Sequence, residues 1–159
     1  MAGTTRVESR AADAHTKYKH RTPWHLWVVG LLALLWRSVG AMDYLMTQTG
    51  NEEYLSQFTP EQLAFFAGFP AWLVAFWAVA VWGGVLGAIL LLLRRRAAVW
   101  VLLASFVSMV IVTIRNYVFA GGLEVIGDTF SLVFSAIIFV VALALVLYAL
   151  SLQRRGVLV

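Results

Sequence analysis

No cysteine occurs among the 159 residues, which excludes a disulfide framework, a thiol redox centre and any Cys-ligated metal. Three histidines, His15, His20 and His25, fall at five-residue steps with no carboxylate placed to support them, so no metal site is expected. The chain has no Gly-rich phosphate loop after a strand, no G-x-S-x-G and no H-E-x-x-H, and neither enzymatic activity nor a cofactor is expected. Proline is confined to Pro23, Pro60 and Pro70. Charge is scarce too: 13% of residues are charged against 62% hydrophobic, with a mean hydropathy of +0.84, values outside the range of ordinary soluble domains.

The charges that exist lie almost entirely between four long apolar runs, and their sign alternates from gap to gap. Arg6, Arg10, Lys17, Lys19 and Arg21 precede the first run, Arg94, Arg95 and Arg96 separate the second from the third, and Arg154 and Arg155 follow the fourth. The remaining two gaps carry no Lys or Arg, only Glu52, Glu53, Glu61, Glu124 and Asp128. The positive-inside rule therefore predicts a four-span membrane protein with both termini in the cytoplasm. Because every basic cluster flanks a span, anionic headgroups of the bilayer are the expected partner of the net charge of +4, and nucleic acid is not.

The fold class predicted is an all-α antiparallel bundle of four transmembrane helices. Residues 1–21 form a basic cytoplasmic leader whose composition predicts disorder. Residues 22–155 make one membrane domain with spans at about 24–44, 70–93, 97–119 and 129–152, and 156–159 are a C-terminal tail. Thr22-Pro23 reads as an N-cap with proline at the first helical position. A signal peptide is the competing reading of Leu26 to Trp36, opposed by the long hydrophilic leader and by Arg37. Thr59-Pro60-Glu61-Gln62 matches a capping box, and Gly68-Phe69-Pro70 stops that helix after about two turns. Pro60 to Gly68 is thus a short interfacial helix before the second span, with Leu63, Phe65, Phe66 and Phe69 as its apolar contacts. Asp128 is the expected N-cap of the fourth span.

Arg37 lies 13 residues past Trp24, about 20 Å along a helix crossing about 30 Å of hydrocarbon. A guanidinium there costs from about 3 to more than 10 kcal/mol without a partner, water or a route to the surface. It shares one helix face with Gly30, Ala33, Gly40 and Tyr44, a stripe that lets another helix approach and turns Arg37 into the bundle. Asp43 is six residues on, about 120° round the helix, so the partner must come from elsewhere. Antiparallel packing gathers a candidate substrate-binding cluster of Arg37, Asp43, Arg115, Asn116, Glu124 and Asp128, able either to hold a polar or anionic solute or to neutralise itself as structural glue. Gly83-x-x-x-Gly87 and Gly84-x-x-x-Ala88 present small ridges for helix packing, within the chain or with a second copy or another membrane subunit. Trp77 and Trp82 read as lipid-facing or packed bulk.

The stretch Trp36 to Gln48, then Tyr54-Leu55-Ser56-Gln57-Phe58-Thr59-Pro60-Glu61-Gln62 and Phe69-Pro70-Ala71-Trp72, resembles a family of small proteobacterial inner-membrane proteins often called sugar transporters. The likeness runs through the arginine hairpin into Arg154-Arg155-Gly156-Val157-Leu158. It implies a multi-pass protein of the bacterial inner membrane, in contact with a small polar, sugar-like solute. In that family the position after the Trp36-like tryptophan is usually uncharged, often Asn, so Arg37 departs from the pattern. Two functions follow as expectations: an oligomer, such as a homodimer, that binds or passes a small polar solute, or a non-catalytic accessory or assembly subunit of a larger membrane complex.

Overall fold

A computed structural model describes residues 23–159; the leader at 1–21, with its expected disorder, and Thr22 lie outside the described residues. The helices run in the order α1 (Trp24–Gln48), α2 (Glu52–Leu55), α3 (Pro60–Ala67), α4 (Ala71–Leu92), α5 (Ala97–Ile114), α6 (Gly122–Ile126) and α7 (Thr129–Arg154), with a π-helical turn over Arg115–Phe119 continuing α5. No strand is present among the described residues. Four helices among the described residues are long and apolar enough to cross a membrane: α1, α4, α5 with its π turn, and α7.

Local chemistry explains most boundaries. Pro23 and Pro70 are the N-cap residues of α1 and α4, with φ −65° and −66° and extended ψ. This corrects the placement of Pro23 at the first helical position: the fixed proline φ suits the extended conformation of an N-cap equally well. Around α3 both halves of the capping box form, Thr59 Oγ1 accepting from the Gln62 N–H at 3.3 Å and Gln62 Oε1 accepting from the Thr59 N–H at 3.1 Å. Asp128 caps α7, its carboxylate accepting from the Ser131 N–H at 3.1 Å. The first helix reaches Gln48 rather than stopping near Tyr44, and Asn51 caps the unforeseen single turn α2 through the Tyr54 N–H at 2.8 Å.

The helices α4 and α5 form the central hairpin, with α1 against α4 and α7 against α5. Small residues set the spacing. A Cβ on Gly87 would strike Leu102, one on Gly30 would strike Leu92, and one on Gly83 would stand 3.2 Å from Ser105 Cβ. Ser105 Oγ donates to the Ala80 carbonyl at 2.5 Å, tying the two hairpin helices together where both are buried. These glycine ridges are therefore taken up by contacts within the chain. Along the α1–α7 seam the links are His25 Nδ1 with Tyr148 Oη at 2.6 Å and the rings of Trp36 and Phe134 at 6.1 Å.

The bundle has two unlike ends. At one, which we call the hairpin end, lie Arg94, Arg95, Arg96, Arg154 and Arg155; at the other, the capped end, lie α2, α3 and α6 with Glu52, Glu53, Glu61, Glu124 and Asp128. The main core sits toward the hairpin end and includes Leu26, Leu91, Ala98, Leu102, Leu145 and Leu152. The tail joins it: Val157 and Leu158 are buried, Leu158 completely at 0% exposure. Two backbone bonds, Val159 N–H to the Arg94 carbonyl at 2.7 Å and Arg96 N–H to the Val159 carbonyl at 3.1 Å, strap the tail to the hairpin turn. The guanidinium Nε atoms of Arg94 and Arg96 donate to the carbonyls of Val157 and Leu158, both at 3.3 Å. Arg94 has φ 58°, a left-handed conformation costing a non-glycine residue about 1–2 kcal/mol; it closes α4 through Arg95 N–H to the Leu90 carbonyl at 2.9 Å, the Schellman pattern.

Candidate functional site

Toward the capped end the helices part around a cavity of about 280 Å³, lined by all four spans and by Ile126 of α6. From α1 it takes Trp36, Arg37 and Gly40, and from α4 Trp77, Ala80 and Val81. The α5 face Met109, Val112 and Thr113 runs on into Asn116 and Tyr117 of the π turn, and Ser135 and Ile138 of α7 complete the wall. Residues at 109, 112, 113 and 116 fall three and four apart, as one helix face must. Tyr117 Oη and Ser135 Oγ lie 3.2 Å apart and pin the π turn to α7. Trp77 is held edge-on to Tyr44 at 5.0 Å and to Phe69 at 6.2 Å.

Arg37 is turned into the protein. A Cβ on Gly84 would stand 2.9 Å from both Cδ and Nη1 of Arg37 and 3.1 Å from its Cζ, so the missing side chain at Gly84 makes room for the guanidinium. Gly84 is the fourteenth residue of α4, about 20 Å from that helix's start in a total of about 33 Å. The charge therefore rests near mid-span rather than lifted to the capped surface. That direction follows from geometry, since side chains lean toward the N-terminus of their helix, here away from the capped end. A route for its head to the surface is therefore not how this side chain is accommodated.

Among the described residues, two buried side-chain atoms lack a hydrogen bond, Arg37 Nε and Asn116 Oδ1, and both residues line this cavity. Asn116 is only 8% exposed. Buried polar groups nearly always find partners, so two unpaired atoms on residues of one cavity wall set it apart from the rest of the bundle. No Asp or Glu among the described residues lines the cavity.

The other residues of the expected cluster lie apart from it. Asp43 accepts from Tyr54 Oη at 2.5 Å, which fastens α2 onto α1. Burial, with the hydrogen bond and negative charge of Asp43, pushes the Tyr54 hydroxyl up to about 12. Arg115 opens the π turn and is half-buried, one position off the cavity face; Glu124 is exposed on α6. Asp128 is exposed, and its bond to Ser131 holds its carboxyl below the usual range. The structure thus brings Arg37 and Asn116 together and places Asp43, Arg115, Glu124 and Asp128 outside the cavity wall. The periodicity of the α5 face already carried Thr113 and Tyr117, whereas nothing local distinguishes Trp36 and Trp77 from tryptophans that face lipid. Phe65, Phe66 and Phe69 of the capping segment pack edge-to-face on one another at 5.6–5.8 Å.

Together these features define, over the described residues, an all-α integral membrane protein, multi-pass, with a largely apolar, partly open cavity among its four spans that holds one arginine and one asparagine. No family model, curated protein or solved structure matches the chain.

Proposed function

We propose that this protein binds a small polar solute in the cavity between its spans, as part of moving it across or sensing it at a bacterial inner membrane. The observation that carries the reading is that Arg37 and Asn116, whose Nε and Oδ1 are unpaired, line one cavity of about 280 Å³, just under the usual range of ligand pockets. An intramembrane charge without an ion-pair partner is by default a functional group. The resemblance to proteins called sugar transporters agrees with a solute of this size. With the arginine-rich hairpin end cytoplasmic, as the positive-inside rule predicts, the cavity lies toward the outer face. The core packed at the hairpin end leaves binding as the step one copy performs, and a two-sided pathway calls for a second copy, since transporters commonly place the site between repeats.

The accessory-subunit reading relied on the glycine ridges as docking surfaces. Contacts of Gly83, Gly84 and Gly87 with Ser105, Arg37 and Leu102 leave it less support. Uptake of a panel of radiolabelled small polar solutes into proteoliposomes, with solute retention by the detergent-purified protein measured in parallel, tests the proposal. At least one solute is expected to be taken up or retained above protein-free controls and to fall to background with Arg37→Gln. Signals equal to the controls across the panel, or unchanged by Arg37→Gln, would overturn it.

A further inference from the structure

Resting on that solute-binding reading, we infer that the ligand is a small monoanion, a hydroxy monocarboxylate, rather than a neutral sugar. The charge arithmetic of the cavity points there. Its lining holds one guanidinium and no carboxylate, and arginine stays protonated in proteins. Water outside a low-dielectric span neutralises a charge far less well than a partner inside it. One negative charge on the ligand brings the site to neutrality; a neutral sugar leaves Arg37 uncompensated, and a dianion such as a phosphate monoester leaves an excess negative charge. The fork of guanidinium donors matches a planar carboxylate.

The second orphan fixes the rest of the ligand. Asn116 lines the cavity, and its Oδ1 is a buried acceptor with no donor among the described residues; a turn of the amide toward the cavity lets the solute supply one. A hydroxyl does so while its carboxylate engages Arg37. The walls contributed by Trp36, Trp77, Val81, Met109 and Ile138 take the carbon skeleton.

Binding of glycerate, glycerol, propionate and inorganic phosphate to the intact, delipidated protein in detergent, followed through tryptophan fluorescence with Trp36 and Trp77 as reporters, tests this. Glycerate and glycerol share a carbon count and differ in charge; propionate keeps the charge and lacks the hydroxyls. Glycerate is expected to bind about tenfold or more tightly than glycerol, because a hydrogen bond to a charged group is worth at least about one decade. Arg37→Gln should bring the glycerate-to-glycerol ratio to about one. Asn116→Leu should weaken glycerate about three- to tenfold while propionate binding stays as in the parent, a selective effect that a folding defect would not produce. Glycerol binding as tightly as glycerate would overturn the inference and leave the solute-binding reading standing. Phosphate binding more tightly than glycerate, or a retained phospholipid that glycerate fails to displace, would overturn it in favour of a phosphate-bearing occupant. Binding of none of the four probes would overturn the inference; solute uptake in proteoliposomes then decides the broader reading separately.

Discussion

The hairpin half and the capped half of this bundle are built from the same four helices and obey opposite rules. Near the hairpin end small residues let helices touch, Gly87 against Leu102 and Gly30 against Leu92, and the core closes without polar orphans on Leu26, Leu91, Leu102, Leu152 and Leu158. Near the capped end bulk and polarity keep them apart: Trp36, Trp77 and Tyr117 surround a cavity, and Arg37 and Asn116, which carry the orphaned atoms, belong to its wall. Ordinary packing thus concentrates in one half and frees the other to hold groups that a purely structural bundle would exclude. Gly84 marks the border, belonging to the small-residue ridge yet facing the guanidinium.

The contrast breaks first, if it is wrong, at Leu102. Leu102→Ala removes a fully buried side chain and should cost about 2–5 kcal/mol, read as a fall in thermal unfolding temperature in detergent; a loss below about 1 kcal/mol would mean the hairpin half is not the stable half. At Asn116 the opposite holds. Replacing an unsatisfied buried amide by an apolar side chain of similar shape in Asn116→Leu should leave stability unchanged or raise it by about 1 kcal/mol, and a drop would make Asn116 a structural element of the bundle. Ser105→Ala deletes the bond to the Ala80 carbonyl and is expected to cost about 0.6 kcal/mol, the average for such bonds between membrane helices.

The smallest effect belongs to the capped surface. The Tyr54 hydroxyl, raised to about 12 by burial and by its bond to Asp43, should titrate above the ordinary tyrosine value of about 10 in ultraviolet difference spectra of the protein against Tyr54→Phe. Asp43→Asn should move that titration down. Because the folded value is raised, the stabilisation is complete below about pH 10 and is lost as pH climbs through about 12; the α1–α2 contact accordingly stays intact throughout the neutral range.

Where a feature depends on a few neighbouring residues it was legible in the sequence: the capping box at Thr59 and Gln62, the Asp128 cap, the four apolar runs. The π turn at Arg115–Phe119 and the tail against Arg94 and Arg96 escaped because they are decided by contacts between residues far apart in the chain. The site divides the same way. Arg37 and Asn116 stood out as polar groups in apolar runs, but Asp43 looked equally available until the loop carried Tyr54 onto it.

The strap of residues 157–159 sets an order of events during biogenesis. The α4–α5 turn is made and inserted some sixty residues before the segment that satisfies it, the Arg94–Val157 and Arg96–Leu158 bonds spanning 63 and 62 positions. Until that segment arrives, the left-handed turn at Arg94 lacks these bonds and the hairpin end of the core lacks Leu158. Translation proceeds from the N-terminus, so this half of the bundle matures last among the described residues and is the part a truncated nascent chain would leave unfinished.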